Sequence, residues 1–196
     1  IVELKCNKEN ITKTRYVDEY SGQMVMRLDE NDTCSRIHQP WIDYFIEKQK
    51  WKNYDAIVIS DYNKGFLLTD DIERICKHIT DVPIFLDTKK ILGSWADNVT
   101  FIKINYGEYK NNSHVFYEND QLKNKTIITR GPHGCEYHGK MYPTKQVPVK
   151  DVSGAGDTFL AGLVVEFIKS NDIISAINFA QECTTIVVQR PGVSTI

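Results

Sequence analysis

Apolar residues along this chain fall into two rhythms. Four short continuous runs, at residues 56–60, 83–87, 99–104 and 126–129, are rich in Ile, Val and Phe and too brief for core helices, so each predicts a buried β-strand. Elsewhere apolar positions recur at a spacing of three and four residues. Trp41, Ile42, Phe45, Ile46 and Trp51 predict an amphipathic helix over 38–52 with Pro40 in its first turn. Ile72, Ile75, Cys76 and Ile79 predict the inner face of a second helix, capped by Thr69. Two longer helices follow at 154–169 and 172–189. Residues 15–17 and 24–29 read as a β-hairpin around the glycine-containing turn 18–22, and 135–138 and 140–149 as short β segments. Strands alternating with helices argue for an α/β fold with a largely parallel sheet. No repeat or long linker interrupts the pattern, so one domain over 1–196 is the simplest partition.

Composition narrows the class. With 196 residues, a formal net charge of -2 and 41% hydrophobic content, the chain reads as a soluble globular domain. No run approaches the roughly 18 apolar residues that span a bilayer, and residues 1–10 lack the pattern of a signal peptide, so a cytoplasmic protein with no membrane partner is expected. Cys6, Cys34, Cys76, Cys135 and Cys183 are scattered, odd in number and without a C-x-x-C pair, which points to reduced thiols. His133 and His138 alone lie within motif range of each other, and no metal is assigned to histidine. The near-neutral charge offers no basic stripe for nucleic acid, and the lysines within 48–52 read as a solvated face.

Candidate chemistry concentrates at Asp151-Val152-Ser153-Gly154-Ala155-Gly156-Asp157, directly before an apolar helix. Glycines let a backbone approach a ligand closely, and the unpaired amides of a helix start point at an anion lying there. Asp157 would then stand beside a migrating phosphoryl group, placed to take a proton from an attacking hydroxyl. A bare G-x-G-D fits equally well as a tight strand-to-helix connection whose acid interacts with the helix dipole. Position adds a second argument. In an open α/β sheet ligands collect beyond the carboxyl ends of the strands. Four polar turns sit there: Asp61-Tyr62-Asn63-Lys64-Gly65, Asp87-Thr88-Lys89, Asn105-Tyr106-Gly107-Glu108 and Thr129-Arg130-Gly131-Pro132-His133-Gly134. Each alone is an ordinary turn composition.

Taken whole, 151–157 resembles the D-T-x-G-A-G-D signature of the ribokinase-like, or PfkB, carbohydrate kinases, with Val152 in the place of threonine. The resemblance implies a three-layer α/β/α fold, Asp157 as catalytic base, and the amides of Gly154, Ala155 and Gly156 as an anion hole. Asn105 and Glu108 resemble the family's N-x-x-E motif and imply a role in organising Mg2+, which keeps several waters and few protein ligands. Thr129, Arg130, Gly131 and Gly134 are similar to its T-x-G-x-x-G loop and imply contacts to ATP, with Asn178 on a helix flanking the adenine pocket. Within the family the likeness is greatest to the heptose 7-phosphate kinases of ADP-heptose synthesis. Ser60 to Gly65 resembles their S-D-Y-x-K-G, Asp87-Thr88-Lys89 their D-P-K, and 11–15 with 23–29 their T-x-K-x-R and q-x-x-x-R-x-D stretches. These matches imply an acceptor side formed by Arg15, Asp61, Lys64 and Lys89, with the lysines addressing phosphate.

The resemblance also implies that about a hundred further residues, carrying the first βαβ units, the lid strands and a G-G-x-x-x-N sugar motif, belong before Ile1. The chain is thus expected to be the C-terminal part of a kinase domain with an exposed sheet edge. Two readings follow: an ATP-dependent sugar or sugar phosphate kinase, or a non-catalytic nucleotide-binding or assembly unit. The chain is expected either to be inactive alone or to assemble with a separate N-terminal fragment or as a homodimer. A dinucleotide-binding protein is disfavoured, because no G-x-G-x-x-G follows an early strand.

Overall fold

A computed structural model describes residues 10–20 and 24–196. Strands β1 (Thr12–Val17) and β2 (Met24–Glu30) form a separate antiparallel pair with Thr14 opposite Leu28. The hairpin is as expected, except that part of its turn, Ser21 and Gly22, and also Gln23 lie outside the described residues. Tyr16, Val25 and Met26 leave it with exposed apolar side chains.

The main sheet has six strands in chain order: β3 (Ile57–Asp61), β4 (Ile84–Thr88), β5 (Phe101–Asn105), β6 (Thr126–Thr129), β7 (Cys135–Tyr137) and β8 (Lys140–Tyr142). The first four run parallel, and the last two turn back antiparallel. Among the described residues β3 pairs only with β4, and Val58 on it is 47% exposed. The stretch 143–149, expected to be β-like, forms no strand. It contains Pro143 and Pro148, which supply no backbone donor to a ladder.

Helices cover both faces and give three layers. One face carries α1 (Gln39–Glu47) and α2 (Thr69–His78), and its core joins Ile72 and Cys76 to Leu86, Ile102 and Ile104. The other carries α6 (Ala155–Ser170) and α7 (Ile173–Val187), whose Leu160, Leu163 and Ile177 pack on Phe85 and Ile127. Strand alternation sends Phe85 to one core and Leu86 to the other. The two long helices come close at Gly162, where an added Cβ would stand 3.1 Å from the Cα of Ala180.

Three further details depart from the sequence reading. The helix expected over 38–52 stops at Glu47, where Gln49 turns left-handed, and a short 3-10 turn, Lys50–Asn53, then buries Trp51. Thr69 does not cap α2. Leu68 holds that position, and its amide donates to the Asp71 carboxylate at 2.9 Å. Between β5 and β6 the chain makes three short helices, α3 (Tyr106–Asn111), α4 (Ser113–Glu118) and α5 (Asp120–Asn124), where the pattern gave none. They bury only Phe116 and Leu122 deeply, too sparse a stripe for periodicity to register. No disulfide joins the described cysteines, and no helix among the described residues is long and apolar enough to cross a membrane.

Candidate active site

Because β3 to β6 are parallel, their carboxyl ends share one edge, and the sequence places its polar turns there. Register then decides which side chains meet: Ser60 pairs with Asp87, Asp87 with Lys103, and Asn105 with Thr129.

The loop into α6 is held at its base. The Asp151 carboxylate accepts the Ser153 amide at 2.7 Å and the Gly192 amide at 3.1 Å, and the amide of Lys150 donates to the Val188 carbonyl at 2.8 Å. The bond from Ser153 is the main reason that the Asp151 carboxyl lies below the usual range, and the charge of Arg15 adds to it. Gly154 turns left-handed at φ 78° as the N-cap. Of the three amides expected in an anion hole, that of Ala155 is engaged within the turn, donating to the Val152 carbonyl at 3.1 Å. Gly156 and Asp157 follow in the first turn, where helical geometry provides no acceptor for an amide.

Facing this turn is Lys103, a lysine inside the apolar run 101–104 of β5, 6% exposed and paired with Asp87 at 2.7 Å. A Cβ on Gly156 would come within 3.0 Å of its ammonium, so glycine is what lets that charge reach the helix start. A cleft of about 180 Å³ brings Asp61, Tyr62, Lys89, Lys103 and Glu108 together with Asp157. The Tyr62 hydroxyl donates to Asp157, 2.9 Å from Oδ1 and 3.2 Å from Oδ2. Burial, followed by this bond, pushes the Tyr62 phenol up to about 12. Asp61 is structural in its contacts: it is buried and accepts Lys90 Nζ at 2.6 Å, the Thr88 hydroxyl at 2.9 Å and the Asn63 amide at 3.1 Å. Asn105 and Glu108 cap α3 reciprocally. The Glu108 amide donates to Asn105 Oδ1 at 2.9 Å, and the Asn105 amide to Glu108 Oε2 at 2.7 Å.

On the other side of α6, Thr129, Gly131 and Gly134 line a pocket of about 120 Å³ with Phe159, Gln181 and Thr184. Gly134 has φ 86°, and a Cβ there would stand 2.1 Å from the Tyr142 carbonyl oxygen. Arg130 turns to Glu136, at 2.5 Å, and lies 4.3 Å over the Tyr106 ring. Asn178 sits on the exposed face of α7 and does not line this pocket. Gln181, less than one turn further on, is buried there with an Oε1 that has no hydrogen-bond partner among the described residues.

Of the expected acceptor-side residues, Lys89 lines the cleft with its ammonium 4.8 Å from the Tyr62 ring centre. Lys64 instead binds Asp32 beside a third cavity, of about 380 Å³. Arg15 lies on the exposed hairpin, near enough to Asp151 to act on it through its charge. Sequence reasoning did not select Lys90, Lys103 or Gln181. The one available signal was Lys103, a charge in the middle of the run Phe101-Ile102-Lys103-Ile104.

The chain belongs to the pfkB family of carbohydrate kinases, whose family model matches residues 49–196. Curated relatives include the bifunctional protein HldE of Hydrogenovibrio crunogenus, 28% identical over 204 residues that cover 95% of this chain and 42% of that protein. HldE of Nitratiruptor sp. is 28% identical over 211 residues, 98% of this chain and 44% of the relative. The chain therefore spans less than half the length of these relatives. Among solved structures, ribokinase from Thermotoga maritima superposes with a TM-score of 0.69 at 16% identity, over 92% of this chain and 63% of that one. Phosphofructokinase-2 from Escherichia coli, in complex with potassium, gives 0.68 at 11% identity, over 92% and 65%. These likenesses establish the ribokinase-like fold.

Proposed function

We propose that this chain is the C-terminal part of a kinase domain that transfers the γ-phosphoryl group of ATP to a hydroxyl of a sugar or sugar phosphate. The observation that carries the reading is Asp157 in the first turn of α6, opening on one cleft with Gly156 and the buried Lys103. The acceptor hydroxyl gives its proton to the Asp157 carboxylate, and its oxygen bonds to the γ-phosphorus. The bond from that phosphorus to the β,γ-bridging oxygen breaks, and ADP leaves. Such transfers depend on positioning and charge stabilisation. Here these come from the first-turn amides and Lys103, which meet phosphoryl oxygens in a partly enclosed cleft.

Magnesium, when bound with the nucleotide, neutralises phosphate charge. The donor set fits an ion held largely by phosphate and water. Among the described residues no group of three metal-ligating side chains forms, and Glu108 keeps one oxygen beyond its bond to Asn105 for a water on the ion. The pocket behind Thr129, Gly134 and Gln181 suits the nucleoside end of ATP. The resemblance of 60–65 and 87–89 to heptose 7-phosphate kinases supports such an acceptor, and Lys89 in the cleft suits an anionic one.

The test is Asp157→Asn in the full-length protein that carries this chain. Turnover with ATP and heptose 7-phosphate is expected to fall by at least about a thousandfold while ATP affinity by calorimetry stays within about threefold. Retained turnover removes the base assignment. A wild-type protein that binds ATP and transfers nothing to heptose 7-phosphate, fructose 6-phosphate or ribose favours a non-catalytic nucleotide-binding unit.

A further inference from the structure

Tyr62 lies in the turn after β3, and that turn is fixed on three sides. Its start is anchored by the buried Asp61 contacts to Thr88 and Lys90, and by the Lys89 amide donating to the Asp61 carbonyl at 3.1 Å. Its end is stitched to the segment before α1, where the Cys34 amide donates to the Lys64 carbonyl at 2.6 Å and the Ile37 amide to the Phe66 carbonyl at 2.8 Å. Gly65 closes it at φ 99°, and a Cβ there would meet the Cys34 carbonyl oxygen at 2.8 Å. A turn held this way presents the phenol in one direction, across the cleft to Asp157. The Lys89 ammonium, 4.8 Å over the ring, fixes its face.

We propose that Tyr62 is the positioning residue for the base, its hydroxyl orienting the Asp157 carboxylate so that a free lone pair faces the acceptor hydroxyl. The proposal rests on the kinase reading above. An ionised carboxylate has about four lone-pair sites, so a donor shared between its two oxygens leaves room for a second donor. The acceptor proton can move to Asp157 while Tyr62 still holds it, and the phenol keeps its own proton throughout, because its ionisation lies near 12. Groups around that phenol are Asp157 from α6, Asp87 from β4 and Glu108 from α3, all of which oppose its ionisation, with the Lys89 ammonium on its face.

Tyr62→Phe keeps the ring over which Lys89 sits and removes only the hydroxyl. In the full-length protein, assayed beside Asp157→Asn, kcat is expected to fall about 10- to 100-fold with KM for ATP and melting temperature unchanged. A second readout needs no turnover. In protein labelled with 13C at the tyrosine Cζ, the resonance lost in Tyr62→Phe identifies Tyr62, and its titration midpoint should drop in Asp157→Asn. Wild-type kcat in Tyr62→Phe beside an inactive Asp157→Asn overturns the proposal and leaves the base assignment standing. Loss of ATP affinity or of melting temperature along with kcat in Tyr62→Phe overturns it in favour of a structural role, as does a Tyr62 midpoint that ignores Asp157→Asn. Retained turnover in Asp157→Asn overturns both readings.

Discussion

Gly134 and Gly156 border the path proposed for the nucleotide, and each is small for a different reason. At Gly156 the constraint is the Lys103 ammonium, 3.0 Å from where a Cβ would stand. At Gly134 it is backbone: φ is 86°, and the Tyr142 carbonyl oxygen and Thr144 amide nitrogen would lie 2.1 and 2.9 Å from a Cβ. Neither can yield as the end of a flexible side chain would. Gly134→Ala should therefore destabilise the fold by more than about 2 kcal/mol, read as a lower urea midpoint at unchanged slope. Both glycines were visible in the sequence because they stand in turns flanked by strand and helix patterns. Lys103 showed only as a charge within an apolar run, since its burial depends on pairing with Asp87, which only the β4–β5 register supplies. Asn178 and Gln181 make the complementary case: spacing identified the helix but not its rotation about its own axis, and that rotation puts Gln181 in the pocket and Asn178 outside.

Among elements, α2 shows how a start signal can mislead. Thr69 is a good cap by residue type, yet Asp71 does the work from the third helical position. It accepts the Leu68 amide at 2.9 Å, Arg36 through two bonds at 2.6 and 2.9 Å, and Gln39 at 2.9 Å. Two of those partners precede Asp71 by more than thirty residues, beyond any local rule. Burial opposes the charged form of Asp71, but Arg36, the Leu68 amide and Gln39 together outweigh it and hold the carboxyl below its ordinary value. The folded value is depressed, so the stabilisation is complete above the ordinary carboxylate range, about pH 4, and is lost as pH falls through the folded value. Urea midpoints measured from pH 6 down to pH 2 should decline, and Asp71→Asn should flatten part of that decline while lowering the midpoint at neutral pH. The α7 start was more legible: Asp172 accepts the amides of Ile174 and Ser175, partners only two and three residues away.

At the scale of the molecule, one sheet separates two apolar cores that share its strands. Leu86 and Leu163 are both fully buried, on opposite faces. Truncating either to alanine should cost about 2–5 kcal/mol. Trp51 and Trp95 both pack with the core containing Leu86, so a lowered tryptophan-fluorescence midpoint in Leu163→Ala would show the loss crossing the sheet. Fluorescence and far-ultraviolet dichroism are expected to report one transition in both variants, and separate transitions would mean that the faces unfold independently. The layered architecture was readable because continuous apolar runs and helical spacing alternate. The meeting of Tyr62 with Asp157, 95 residues apart, was not, because it follows from how α6 is seated. The sequential strand order has a further consequence, for synthesis. The groups of the cleft leave the ribosome in the order in which their strands lie side by side, and Asp157 emerges after all the others. A chain released before α6 therefore carries both partners of each buried ion pair, Lys90 with Asp61 and Lys103 with Asp87, yet lacks the proposed base and the proposed anion loop together.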